Sequence, residues 1–310
     1  MGTAALLAAT GLTPVEPDSP NTERIEDLFW FIGFWAAIVL LAVAIPLVYF
    51  VWRYRSGGRP RTVEGPQIHG STRLEIAWTL VPVAILIVVA VFTFYKLPGI
   101  TLEAAAGEQS LEVRVEGRQF YWQYRYPNGV IAIDTLRAPA ERLVELTITA
   151  PENDVIHSYW VPALIAKFDA IPGETTETSF RGPPGTYQGQ CAEFCGIQHA
   201  AMFAEIEVVP ADEFDGWLEE QARAQETGDS DLGEQIFNGA CSKCHGSRGQ
   251  GFIGPGFSAS TVSSPAAVEE IVRNGRGRMP AVGQGWPDRE MKALTDYLRQ
   301  RFRQEGGSGG

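Results

Sequence analysis

The sequence predicts a multidomain membrane protein: a two-helix transmembrane hairpin, then an all-β sandwich, then a small all-α domain. Three observations predict it. Two long uncharged apolar runs occupy the first third of the chain, alternating apolar and polar residues with Pro and Gly turns fill the middle, and a short C-terminal part is built around "CSKCH". At 310 residues there is room for two or three domains, and 45% apolar with 11% aromatic residues describes a chain that folds. The formal charge of -12 is the wrong sign for a nucleic-acid partner, which needs a basic face to displace phosphate counterions.

The hairpin comes first. Leu28 to Trp52 runs 25 residues without a charge, and Ile76 to Tyr95 runs 20; each is long enough to cross a hydrocarbon core of roughly 30 Å as a helix. The competing reading is a pair of buried core helices. Pro46 and Pro82 are candidate kinks, which neighbouring helices can accommodate. Between the runs lie Arg53, Arg55, Arg59, Arg61 and Arg73 against Glu64 and Glu75, whereas Glu16, Asp18, Glu23, Glu26 and Asp27 precede the first run against Arg24. The positive-inside rule therefore places the connection in the cytoplasm and both termini outside. The opening "MGTAALLAATGL" lacks the basic start of a signal peptide but is compatible with the remnant of one.

From Leu111 to Val209 the pattern alternates in "LEVRVEG", "FYWQYRY", "RLVELTIT", "ETTETSF" and "MFAEIEVV", with turns at "YPNG", "APENDV", "IPGE" and "GPPGT". Short strands so punctuated predict an antiparallel sandwich. Between its strands, "CAEFCGIQHAAM" sets Cys195, His199 and Met202 on one loop, with His157 upstream at the end of another strand. Thiolate, two imidazoles and a weak thioether are the ligand set of a cupredoxin site, which makes the sandwich a cupredoxin-like Greek key. One copper needs one cysteine, so Cys191 is surplus; two thiolates can bridge two copper ions. A disulfide between Cys191 and Cys195, or the Cys-x3-Cys pair of a thioredoxin-like copper chaperone, are the competing readings, and neither accounts for His199 and Met202. His69 lies apart in a polar loop and reads as a solvated surface residue.

After the sandwich, Ala211 to Gln235 holds nine Asp or Glu and one Arg. Phe214, Trp217 and Leu218 fall at i, i+3, i+4 and predict a short amphipathic helix, leaving "QETGDSD", residues 225 to 231, as free linker. Then comes Cys241-x-x-Cys244-His245, the attachment motif of c-type haem, in which both thiols add to haem vinyl groups and the histidine ligates the iron. A zinc half-site competes, but no second cysteine pair completes it. For a distal thioether, Met279 in the Gly-rich "GRGRMP" is the candidate, while Met291 joins Leu294 and Leu298 in an apolar helical stripe.

These motifs carry a resemblance. "DVIHSYWVPALIAKFDAIPG" followed by "CAEFCGIQHAAM" resembles subunit II of haem-copper oxidases, and residues 229 to 303, including "GPGF", resemble class I cytochromes c. The first resemblance implies a binuclear CuA centre bridged by Cys191 and Cys195 and capped by His157 and His199, with Met202 and the Glu193 carbonyl as weak ligands. It implies that the Glu193 side chain faces a magnesium ion shared with subunit I. It places Glu75, in "LEIAWTLVP", at the entrance of a proton channel in subunit I, against the plain reading of an interfacial carboxylate. Phe120 stands where many members carry the tryptophan through which electrons enter, and Trp122 matches a second aromatic position; both also read as sandwich core. The second resemblance has Pro255 supply a carbonyl to the proximal histidine, His245.

The expected segments are 1–24 outside the membrane, 25–100 as hairpin, 101–215 as CuA domain, 216–231 as acidic linker, 232–303 as cytochrome c domain and 304–310 as tail. Two one-electron centres on a two-span anchor make an electron wire; neither span contains the histidines of a dioxygen-reducing site. The resemblance implies that this site is on subunit I of a cytochrome c oxidase in a bacterial plasma membrane, alongside subunit III, with a cytochrome c or a quinol-cytochrome c reductase upstream. The alternative is a membrane-anchored carrier serving another reductase, such as a nitric oxide reductase; a copper chaperone would not need covalent haem, and the quinol-oxidase branch lacks these copper ligands.

Overall fold

The computed structural model describes residues 14–55, 67, 69–100, 102, 104, 108–228 and 230–303. The opening stretch, Arg59, Arg61 and Glu64 of the connection, and the tail 304–310 lie outside the described residues. Helices from Glu23 to Ile100 form one compact unit, and the sandwich and the C-terminal helices together form another.

In the first unit, helix α1 (Pro20–Arg53) and helix α2 (Thr72–Lys96) run without interruption through Pro46 and Pro82. Both reach a mean hydropathy of 2.6 with their most apolar windows entirely unburied. That disposes of the core-helix reading within this chain, since a core helix would have its apolar surface covered. Phe31 stacks on Phe92 at 4.0 Å, and Lys96 pairs with Asp27, so the two helices meet as an antiparallel hairpin.

The sandwich has ten strands: β1 (Leu111–Arg118), β2 (Tyr121–Arg125), β3 (Ile131–Ile133), β4 (Thr135–Pro139), β5 (Val144–Thr149), β6 (His157–Val161), β7 (Ile165–Ala170), β8 (Thr176–Phe180), β9 (Gly185–Cys191) and β10 (Phe203–Val209). One sheet has the order β3-β2-β1-β5-β8 and the other β4-β10-β9-β6-β7. Alternation sets the facing: Val113 and Val115 of β1 and Leu146 and Ile148 of β5 point inward, each at most 2% exposed. The expectation of a purely antiparallel sandwich needs correction. β1 pairs β5 and β4 pairs β10 in parallel, because the chain leaves each sheet and returns to it after building strands elsewhere.

Helix α3 (Ala211–Thr227) buries Phe214 fully and sets Trp217 against Tyr126 at 5.4 Å. It also shortens the expected free linker at 225–231, whose first three residues belong to the helix. Gln225 is the last-turn residue of α3, 4% exposed, and its amide both accepts from Ile131 N-H at 3.0 Å and donates to Ile131 O at 2.8 Å. A polar residue in an acidic run gave no sign of that pairing.

The C-terminal part comprises α4 (Leu232–Ile236), a π-helical turn (Phe237–Cys241), α5 (Ser242–His245), α6 (Pro265–Asn274) and α7 (Asp288–Arg303). Ser264 caps α6 by accepting from Ala267 N-H, with Pro265 at the first helical position. Met291, Leu294 and Leu298 of α7 are buried. Their core is continuous with Tyr121, Ile131 and Ile133 of the sandwich, so the two domains share packing.

Candidate metal centres

Four elements bring the first cluster together: the start of β6 carries His157, the end of β9 carries Cys191, the following loop carries Cys195, and a 3-10 turn (His199–Ala201) leads to Met202 ahead of β10. The sulfurs of Cys191 and Cys195 are 3.9 Å apart. Cys191 Sγ lies 3.9 Å from His157 Nδ1 and 3.2 Å from Glu193 O. Cys195 Sγ lies 3.6 Å from His199 Nδ1 and 3.7 Å from Met202 Sδ. Each thiol thus has its own imidazole and its own weak donor. His157 and Met202 are fully buried, both thiols are 3% exposed, and both are free.

Electrostatics favour thiolate at Cys191. The contact with the Cys195 thiol holds Cys191 far below the ordinary range, at about 3, and the same contact with burial pushes Cys195 up. Burial alone would lower the pKa of His157, but Asp154 and Cys191 outweigh it and raise it. Asp154 Oδ1 sits 3.2 Å from His157 Nε2, which fixes the ring so that Nδ1 faces sulfur, the arrangement by which a carboxylate orients a ligating histidine. A set of two cysteine sulfurs, two imidazoles and a thioether, buried except for the half-buried His199, fits copper and is too soft for magnesium or calcium.

The second cluster surrounds a cavity of about 580 Å³ lined by Cys241, Cys244, His245, Pro255, Met279 and Ile197. His245 Nδ1 donates to Pro255 O at 2.7 Å and its ring stacks on Phe257 at 4.6 Å. The carbonyl occupies one ring nitrogen and leaves Nε2 as a ligand. Burial pushes the Cys241 thiol up to about 12 and raises Cys244 as well, so both are protonated thiols able to add across a vinyl group. An apolar cavity bounded by two thiols, one imidazole and one thioether fits a covalently attached haem. Met291 is in the core, away from this lining.

The two clusters are bridged by polar contacts. Gln198, between Cys195 and His199, donates from Nε2 to Lys243 O at 2.7 Å. Lys243 Nζ donates to Phe120 O and Asp134 Oδ2, both at 2.8 Å. Gln119 Nε2 donates to Cys195 O at 2.6 Å. Arg118 reaches Gln284 O at 2.9 Å, and Trp286 Nε1 donates to Tyr121 OH at 2.8 Å.

Phe120 is 5% exposed, under that bridge; Trp122 is fully buried, edge-on to His157 at 6.0 Å and to Tyr159 at 4.9 Å. The Glu193 carboxylate is exposed, and Glu75 is exposed in the first turn of α2. Sequence reasoning missed Asp154, Gln119, Gln198 and Lys243. Only Asp154 left a local signal, three residues ahead of His157 in a turn.

The family model described as cytochrome C oxidase subunit II, periplasmic domain, matches residues 130–209, and that of the subunit II transmembrane domain matches residues 10–95. The model described as cytochrome C oxidase, cbb3-type, subunit III matches residues 228–298. Cytochrome c oxidase subunit 2 of Alkalihalophilus pseudofirmus is 32% identical, over 94% of this chain and 92% of its own length. The protein of the same description from Cereibacter sphaeroides is 32% identical, over 72% of this chain and 89% of its own length. Among solved structures, the periplasmic domain of subunit II of cytochrome oxidase of Bradyrhizobium japonicum is 30% identical with a TM-score of 0.36, covering 40% of this chain and 97% of its own.

Proposed function

The chain belongs to the cytochrome c oxidase subunit II family, with a cytochrome c domain appended, and from that premise we propose that it passes electrons from its own haem c through a binuclear CuA centre to subunit I, where dioxygen is reduced to water. It is a membrane-anchored subunit of a haem-copper oxidase, carries a periplasmic domain and associates with subunit I.

In this reading Cys191 and Cys195 would bridge the copper pair, with His157, His199, Met202 and the Glu193 carbonyl as its remaining ligands. The observation that carries it is the 3.9 Å thiol pair with one imidazole beside each sulfur. The pair supplies reversible one-electron transfer. The protein's part is rigidity: the ligands sit on β6, β9 and one short loop whose backbone is tied by Cys191 N-H to Met202 O at 2.9 Å and Ala192 N-H to Ser158 O at 2.9 Å. Cys241 and Cys244 would hold the haem covalently, His245 would offer Nε2 to its iron, and Met279 would supply the second, thioether ligand.

The exposed Glu193 carboxylate would face a magnesium ion shared with subunit I, and Glu75 would stand at the entrance of a proton channel there. Phe120 and Trp122 are the aromatic residues between the haem side and the copper. The assembly includes subunit III, lies in a bacterial plasma membrane, and draws on a cytochrome c or a quinol-cytochrome c reductase. Metal and haem analysis of the purified membrane complex tests the reading: two coppers and one extraction-resistant haem per chain, with a delocalised mixed-valence EPR signal, are expected. A single copper, or a haem removed by acid extraction, overturns it.

A further inference from the structure

Lys243 is the origin of two hydrogen-bonded routes that both end on the copper loop. Its carbonyl accepts from Gln198, which is covalently next to His199. Its ammonium, 13% exposed, donates to Phe120 O; one residue back, the Gln119 side chain donates to the carbonyl of Cys195. An ammonium this deep is costly unless paired, and the Phe120 carbonyl and the Asp134 carboxylate pair it. Haem attachment does not call for lysine here, because the two cysteines and the histidine make every bond in the motif. The copper site does not call for glutamine at 198 either, since only the flanking cysteine and histidine bind metal. Both side chains nevertheless reach from one domain into the other.

We propose that Lys243 and Gln198 are coupling residues that provide the path for the electron between haem c and the copper pair. The proposal rests on the reading of the two centres given above. One electron leaves the haem iron, which goes from ferrous to ferric, and reduces the copper pair by one equivalent; no bond is made or broken and no proton moves. Tunnelling decays less steeply through covalent and hydrogen bonds than across a van der Waals gap. The Gln198 route crosses one hydrogen bond of 2.7 Å, and the Phe120–Gln119 route crosses two, of 2.8 and 2.6 Å. Ile197, next to Gln198, lines the haem-side cavity and adds an apolar contact that carries no hydrogen bond. Asp134 is a positioning residue: Oδ1 accepts from Trp122 N-H at 2.9 Å while Oδ2 holds the ammonium over Phe120 O.

The test uses the full chain in the assembled, metal-loaded oxidase, with haem c reduced by a flash and copper reduction followed in time. Gln198→Leu removes the first route and Lys243→Met the second. Each is expected to slow transfer several-fold, Gln198→Leu more, and the double variant further still. The haem absorbance, both midpoint potentials and the broadening of the copper EPR signal by the haem, which reports their separation, are expected to stay native. Lys243→Arg keeps a donor beside Asp134 and is expected to restore the rate. Should Gln198→Leu lose copper, Gln198→Met keeps the side-chain length without the donor and serves in its place. A native rate in the double variant overturns the proposal, as does a slower rate accompanied by altered broadening, which would mean that the residues only seat the domains. Failure of the underlying reading looks different: the unsubstituted chain would show no copper-pair signal or no transfer from haem to copper.

Discussion

The carboxylate of Asp154 lies 3.2 Å from Nε2 of His157 and thereby aims the opposite ring nitrogen at Cys191. Removing such an outer carboxylate costs roughly 10–100-fold in metal affinity. Asp154→Ala is expected to weaken copper retention by that order, measured by chelator competition, while the sandwich keeps its thermal midpoint within a few degrees. Undiminished retention would show that packing alone orients the ring.

Cys191→Ser removes one of the two sulfurs proposed to bridge the copper pair. The expected result is loss of the delocalised EPR signal, replaced by a mononuclear copper spectrum or none. An unchanged spectrum would mean that the centre holds a single copper on Cys195, and the binuclear assignment would fall.

The two methionines of the cytochrome domain have separable roles. Met279 lines the haem cavity, and Met279→Ala is expected to abolish low-spin His/Met ligation and lower the potential, because thioether ligation raises it. Met291 is 2% exposed among apolar neighbours; Met291→Ala is expected to destabilise by about 2–5 kcal/mol and leave the haem spectrum alone. Redox titration and thermal melts of both variants decide, and a spectral change confined to Met291→Ala reverses the assignment.

Glu75→Ala is expected to slow turnover of the assembled oxidase while electron transfer from haem c to copper proceeds at its native rate. Stopped-flow reduction and oxygen uptake on one preparation separate the two. Loss of the electron-transfer step would assign Glu75 a structural part instead.

The shared packing between the domains makes its own forecast. A Cβ at Gly239 would lie 2.3 Å from Cγ2 of Ile133, so Gly239→Ala forces the haem domain off the sheet at a cost of about 1–3 kcal/mol. Transfer in the native chain is expected to be independent of protein concentration, and in Gly239→Ala to be slower but still intramolecular. A rate that rises with concentration in the native chain would show that the haem serves a neighbouring molecule.

Where the sequence was informative, covalent spacing was the reason. Cys191, Cys195, His199 and Met202 share one loop, and Cys241, Cys244 and His245 share one turn, so their meeting needs no tertiary knowledge. The loop-versus-stripe contrast between Met279 and Met291 was legible for the same local reason. Strands β3, β4, β7 and β9 were not legible: they are short, and "GTYQGQC" carries two glycines and two glutamines. Nor were the parallel pairings, which depend on where the chain re-enters a sheet. Gln198 and Lys243 are 45 positions apart and Gln225 and Ile131 are 94 apart; hydrogen bonds over such separations have no signature in a single chain. The flexible tether was inferred from composition, and composition does not report that one amide in an acidic run finds two main-chain partners.

That amide has a further consequence. β3 is the outermost strand of its sheet, and its unpaired side would otherwise be a template for another molecule's strand. Gln225 occupies that side as a one-residue substitute for a neighbouring strand, satisfying both groups of Ile131 with a side chain that cannot propagate the ladder. The last turn of α3 is therefore a solubility device as well as a connector. A copper domain cut free ahead of residue 225 would present a bare edge and self-associate, whereas one carried through Thr227 would keep its guard.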